Sequence, residues 1–252
     1  RITKLILVWA GCPCQHFLKK NENDLMQSTM TIGVEIELNL IDGSGYFCNR
    51  ADEVLADTQN GGFLVPEATL IQVEVNSAPA ESVSELHADL VKKLDVLESI
   101  CARHGVLPVS ISENGAGSGI ARTGKPRYDI YETILGKEKN NQVNTISGVH
   151  VHFSQVSERK LEQFWVLTAL DPLSYALTST SPLRYDGVNT LNCHRVNLMR
   201  NQIFTDFPLH AQLQDYPGRL EEITEQNQTR FEQWLSASNL PREAFGIIFK
   251  PE

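Results

Sequence analysis

Hydrophobic and polar residues alternate strictly between Thr31 and Ile41. Ile32, Val34, Ile36, Leu38 and Leu40 fall on one face of an extended chain, and Gly33, Glu35, Glu37 and Asn39 on the other. The same period of two returns from Leu70 to Ser77, where Ile71, Val73 and Val75 oppose Gln72, Glu74 and Asn76. It returns again from Gly148 to Ser154, where Val149, Val151 and Phe153 oppose Gly148, His150, His152 and Ser154. A further strand is predicted from Val106 to Ser112. Each of the three alternating strands buries an apolar face and turns acids or histidines to the other.

Helical periodicity marks three segments. Ser82 and Glu85 form a capping box that opens a stripe of Leu86, Leu90, Leu94 and Leu97, and Gly105 supplies the stop. A second helix starts near Ser157, carries Leu161, Phe164, Trp165 and Leu167, and is expected to break or kink at Asp171-Pro172. A third runs from about Gly218 to Leu235 with Leu220, Ile223 and Trp234 inward. Helices on the apolar side of a sheet whose polar side stays open make an α+β arrangement.

The chain has 252 residues, 41% hydrophobic and 21% charged, with no repeat and no linker between unlike halves. One domain over 1–252 is the economical reading, with residues 1–29 a loosely attached N-terminal segment. No run approaches the roughly 20 apolar residues of a membrane span. Net charge is -9, and no cluster of Lys and Arg appears. That composition argues against nucleic-acid and anionic-membrane partners, which are held by basic groups. Five scattered cysteines, Cys12, Cys14, Cys48, Cys101 and Cys193, are no disulfide framework and point to a reducing, cytoplasmic setting. Cys12 and Cys14 are too close for a CxxC motif or half of a zinc ribbon. The apolar Leu5–Trp9 is too short for a signal peptide and reads as a short strand or an ill-ordered tail. The sequon Asn227-Gln228-Thr229 falls in a predicted helix.

Taken singly, a glutamate on the outer face of a strand is ordinary. Glu and His are nevertheless poor strand residues, and two glutamates at i and i+2 lie only about 6 to 7 Å apart. If the strands are neighbours, Glu35, Glu37, Glu74, His150 and His152 converge, and Glu67 could add an oxygen from a strand's entry. Carboxylates with an occasional imidazole suit hard cations such as Mg²⁺ or Mn²⁺, and such a site can orient a nucleoside triphosphate. His-x-His alone is a weaker signal, shared with other metal sites.

Gly119 to Lys125 spells GxxxxGK, but Pro126 replaces the Ser or Thr of a P-loop and disfavours helix at Lys125. The glycine-rich loop Glu113 to Pro126 reads instead as a mobile or covering segment, with Arg122, Lys125, Arg127 and Tyr128 as candidate ligand contacts. Past the turn-rich Ser181 to Gly187, Arg195 and Asn197 would share a face if Cys193 to Met199 were extended, and Arg195 could pair with phosphate. No Ser/His/Asp or Cys/His nucleophile motif is recognisable.

Three blocks, Thr31-Ile-Gly-Val-Glu-Ile-Glu-Leu, Gln72-Val-Glu-Val-Asn-Ser-Ala-Pro79 and Ser147-Gly-Val-His-Val-His-Phe-Ser154, resemble in order and spacing the signatures of the glutamate-cysteine ligase and carboxylate-amine ligase superfamily. The Ser181-Pro182 turn, Asp186-Gly187 and Arg195 are similar to a looser fourth block. The resemblance implies a glutamine-synthetase-like fold: an antiparallel, curved sheet with a polar concave face, backed by helices. It implies an ATP- and Mg²⁺-dependent (or Mn²⁺-dependent) ligase. A carboxylate, the γ-carboxyl of glutamate, would attack ATP to give an acyl phosphate that an amine such as cysteine captures, as in glutathione biosynthesis.

Carried over position by position, Glu35 and Glu37 match first-strand metal ligands, Glu74 the ligand of the second block and His150 that of the third. Glu67 matches an acidic ligand, His152 a ligand or a neighbour, and Arg195 a phosphate contact. Family chains continue past a point like Lys250-Pro251-Glu252, so the expectation is a catalytic domain without the C-terminal strands. Two rivals stand beside the ligase: a non-catalytic nucleotide- or metal-binding member of the same fold, and an unrelated metal-dependent enzyme built on His150 and His152.

Overall fold

A computed structural model describes residues 30–114, 120–179, 193–207, 209–212 and 215–247, with strand backbone at 5–6, 183–184 and 187–188. Cys12, Cys14, most of the Ser181 to Gly187 turn and residues 115–119 of the glycine-rich loop, including the first glycine of the GxxxxGK string, lie outside the described residues. The elements in chain order are β1 (Leu5–Ile6), β2 (Ile32–Asp42), α1 (Ala51–Leu55), β3 (Leu64–Pro66), β4 (Gln72–Asn76), α2 (Val83–Arg103), β5 (Val106–Val109), α3 (Pro126–Leu135), α4 (Lys137–Val143), β6 (Val149–Phe153), α5 (Lys160–Thr178), β7 (Leu183–Arg184), β8 (Gly187–Val188), α6 (His194–Leu198) and α7 (Leu220–Ser238). The chain forms two compact units, one of residues 29–124 with 144–154, the other of 1–28, 125–143 and 155–252.

The first unit is an antiparallel sheet in the order β6-β2-β4-β3, with β5 also pairing β2. β2 is long enough to serve three neighbours. β4 lies along one edge, while β6 takes the first half of the other edge and β5 the second. Leu38, Leu40, Val73 and Val75 from the sheet, Leu97, Ile100 and Cys101 from α2, and Ala51 and Val54 from α1 form its core. A smaller cluster of Val34, Ala80 and Leu86 continues it. The α2 stripe is the predicted one. Ser82 caps the helix by accepting from the Glu85 N–H (3.2 Å), and Glu85 reaches back one residue further than a standard box, to the N–H of Glu81 (3.0 Å). Gly105, at φ +65, takes the left-handed conformation that ends the helix.

The structure confirms an α+β chain with an open antiparallel sheet and corrects one expectation about its faces. The polar face is not open to water: Glu35, Glu37, Glu74, His150 and His152 are all buried. On β6 it is the apolar face that is left outside, with Val149 58% exposed, because the core behind the sheet takes in no β6 residue.

The second unit is mainly helical. Its core gathers aromatic rings: His210 stacks on Trp234 (4.7 Å) and on Phe204 (5.8 Å), Tyr131 meets Trp234 edge-on, and Phe231 meets Phe245. One further expectation is narrowed here and another is corrected. Pro172 does not end the second helix, which continues as α5 to Thr178. Cys193 to Met199 is helical rather than extended, since α6 passes directly into a wider π-type turn at Met199–Ile203. Arg195 and Asn197, two residues apart on a helix, therefore do not share a face. No helix among the described residues is long and apolar enough to cross a membrane.

Candidate metal centre

Strand register builds the site in rows across the sheet. Glu35 on β2 stands opposite His150 on β6 and opposite Asn76 on β4. One step along, Glu37 stands opposite Glu74, and the next row pairs Asn39 with Gln72. Glu67 enters just past the end of β3, whose Val65 is registered with Glu74. Directly opposed like charges destabilise a strand pair, so the Glu37 and Glu74 row is a local cost unless a positive charge joins it.

Distances tie the members together. The Glu35 carboxylate lies 3.6 Å from His150 Nδ1 and 3.0 Å from His152 Nε2, and Glu37 lies 3.9 Å from His150 Nε2. The Gly148 N–H donates to Glu37 Oε2 at 2.7 Å, and Asn76 Nδ2 donates to Glu74 Oε1 at 2.8 Å. Burial alone would raise the Glu35 carboxyl, yet the hydrogen bonds and charges of His150 and His152 outweigh it and hold it at about 2. Glu74 shifts the other way. Burial first, then the negative charges of Glu67 and Glu35, push its carboxyl well above the carboxylate range, opposed by the Asn76 amide.

The donor set fits a divalent cation. Glu35, Glu74 and His150 each offer a ligand atom within 4.8 Å of the other two, and so do Glu37, Glu67 and Glu74. Glu74 is thus common to two adjoining sets. It is 1% exposed, and its Oε2 receives no hydrogen bond among the described residues. A buried carboxylate oxygen without a donor calls for an explanation, and a cation supplies one. Oxygen donors with one imidazole and no thiolate favour Mg²⁺ or Mn²⁺ over a structural zinc. His152 belongs to neither set and stands beside Glu35 instead.

A neutral network at the end of the acidic rows had no signal in the sequence. Asn39 Nδ2 and Gln72 Nε2 both donate to Ser147 Oγ (2.9 Å each), Asn114 Nδ2 donates to Asn39 Oδ1 (2.9 Å), and Thr69 Oγ1 donates to Gln72 Oε1 (2.6 Å). All five side chains are buried. The network joins β2 and β4 to the residue before Gly148, whose N–H holds Glu37. Asn39 and Gln72 were visible as the outward polar positions of their strands, but nothing local marks such an amide as buried.

Of the cationic candidates, Arg122 belongs to the unit that carries the carboxylates, and Lys125, Arg127 and Arg195 belong to the other. Lys125 sits extended at the N-cap of α3, which begins at Pro126 with the proline in its first turn. A P-loop lysine would lie inside the helix. Arg127 stacks over the Tyr128 ring at 4.6 Å and donates to its hydroxyl. Arg195 lies in α6.

A family model described as glutamate-cysteine ligase family 2 matches residues 31–231. A protein of Ruegeria pomeroyi named "Putative glutamate--cysteine ligase 2" is 27% identical over 201 residues, which cover 77% of this chain and 51% of that one. A protein of the same name from Bordetella avium is 30% identical over 197 residues, 74% of this chain and 46% of that one. The chain spans about half the length of these two curated relatives. A solved bifunctional glutathione synthetase from Pasteurella multocida superimposes with a TM-score of 0.39 at 17% identity, over 55% of this chain and 19% of that one. A likeness that loose adds nothing to the fold argument.

Proposed function

This chain belongs to glutamate-cysteine ligase family 2, and from that premise we propose that its acidic sheet face binds Mg²⁺ or Mn²⁺ in the service of an ATP-dependent carboxylate-amine ligation. The carboxylate is the γ-carboxyl of glutamate and the amine is cysteine or a relative of it. The observation that carries the reading is Glu74, a buried carboxylate with one undonated oxygen, shared by two adjoining donor sets.

Glu35, Glu74 and His150 would hold one cation, and Glu37, Glu67 and Glu74 a second. Bound there, the cations would screen the charge of phosphate oxygens during phosphoryl transfer. The chain's own residues do the remaining work. Glu35 is kept ionised by its two histidines and is ready to ligate at neutral pH. The Gly148 N–H fixes Glu37, and the buried amide network holds β2, β4 and the entry to β6 at constant spacing, as electrostatic preorganisation requires. Arg195 is proposed for the nucleotide phosphates on the sequence resemblance, and Lys125 and Arg127 on their place at the end of the glycine-rich loop. A glutamine-synthetase-like sheet and a cytoplasmic setting complete the proposal.

The test is ADP release by the purified chain with ATP, Mg²⁺, glutamate and a panel of amines including cysteine, beside calorimetric titration with Mg²⁺ and ATP. Amine-stimulated release that Glu35→Gln and Glu74→Gln each abolish, with far-UV circular dichroism unchanged, supports the reading. Unchanged turnover in both variants overturns the metal assignment. Nucleotide binding without release points to a truncated or non-catalytic member of the fold.

A further inference from the structure

Glu74 can serve two adjoining donor sets only if its carboxylate is turned to face both. Something must choose that orientation, because a carboxylate on a strand is otherwise free to rotate about its last torsion. Asn76 is placed to do so. It is two residues further along β4 on the same face, and its side-chain nitrogen donates to Glu74 Oε1 at 2.8 Å, leaving Oε2 as the oxygen without a donor. An ionised carboxylate only accepts, so the amide must present its NH₂ and not its oxygen. Asn76 also stands in register with Glu35, the ligand on the neighbouring strand.

The backbone of Asn76 is held without help from its side chain. Its N–H donates to the Phe63 carbonyl (2.9 Å), and its carbonyl accepts from Lys93 Nζ (2.9 Å). The side-chain amide is therefore not needed to keep the strand in place. It is also neutral. A lysine or arginine on Glu74 would orient it equally well but would neutralise the charge that a cation needs. The Gly148 N–H, another neutral donor, holds one oxygen of Glu37 on the opposite strand in the same way. Hydrogen bonds of this kind to ligating carboxylates fix their orientation, and their loss typically costs roughly 10- to 100-fold in metal affinity.

We propose that Asn76 is a positioning residue of the acidic face, which holds Glu74 by one oxygen and so keeps its carboxylate turned toward the two donor sets. The proposal rests on the metal reading above and adds to it a residue that ligates nothing.

Mn²⁺ titration of the purified chain, followed by electron paramagnetic resonance and calorimetry, tests it with Asn76→Val and Asn76→Ala. Valine keeps strand propensity and removes the donor, and unfolding in EDTA confirms that the variants fold. Ser77→Ala is the control. Ser77 Oγ accepts from the Val34 N–H at 2.7 Å and is at the same end of β4, but it does not touch Glu74. The expected result is Mn²⁺ affinity reduced about 10- to 100-fold in both Asn76 variants, loss of the spin coupling between two close Mn²⁺ ions, and wild-type binding in Ser77→Ala. Wild-type affinity and coupling in Asn76→Val overturn the positioning role, as does equal weakening in Ser77→Ala. No Mn²⁺ binding by the wild type would overturn the metal reading itself, a distinguishable failure.

Discussion

Glu74 is an uncomfortable residue where it stands. It is buried, faces Glu37 in register and feels the charges of Glu67 and Glu35, so without a cation its ionised form is disfavoured. A carboxyl raised in the folded state costs stability as pH climbs above its unfolded value, a penalty that grows until the folded value is reached. Glu74→Gln should therefore stabilise the metal-free protein near neutral pH by about 2 kcal/mol, and should abolish the further stabilisation that Mg²⁺ gives the wild type. Thermal unfolding in EDTA and in Mg²⁺ checks both halves, and a variant less stable in EDTA would contradict the charge argument. Glu35, Glu37 and Glu74 stood out in the sequence because acids at alternate strand positions are unusual. Asn76, Ser147 and Asn114 did not, because a single amide or hydroxyl says nothing about which partner will reach it.

At the scale of elements, local signals succeeded where the determinants were local. Ser82, the leucine stripe and Gly105 delimit α2 within a residue or two, since capping and amphipathic spacing act over a single turn. Pro172 misled. Its missing N–H and its ring disfavour a helix interior, yet α5 runs through it, with Tyr175 donating to Asp171 Oδ1 (2.7 Å) and Ser174 Oγ donating to the Asp171 carbonyl (2.6 Å) around it. If α5 persists in spite of this residue, Pro172→Ala should stabilise the protein, by about 1 to 3 kcal/mol. Urea unfolding measures it, and a loss of stability would mean that the proline is needed for a bend. Cys193 to Met199 was ambiguous for the opposite reason: a segment this short carries too few positions to separate a period of two from one of 3.6.

At the scale of the whole molecule, two units with different cores predict different sensitivities. His210 in the aromatic core accepts from Trp234 Nε1 (3.3 Å), so its Nδ1 is unprotonated. Burial, helped by the nearby Arg230 charge, depresses its pKa to about 3. A base depressed in the fold takes its proton first in the unfolded chain. Its contribution is complete above the ordinary value of about 6.5 and is lost as pH falls towards 3, at up to roughly 1.4 kcal/mol per unit. Urea unfolding of wild type and His210→Phe between pH 7 and 4 should show a shallower acid loss in the variant, and identical slopes would refute a buried neutral imidazole. The sequence by itself determined the α+β class, the apolar stripes and the strand faces on which the acids lie, because periodicity and capping are written within a few residues. Only the tertiary structure set Glu37 opposite Glu74 and His150 opposite Glu35, closed the acidic face from water and left the outer face of β6 exposed. Register and burial depend on residues far apart in the chain, and no local pattern encodes which of them will meet.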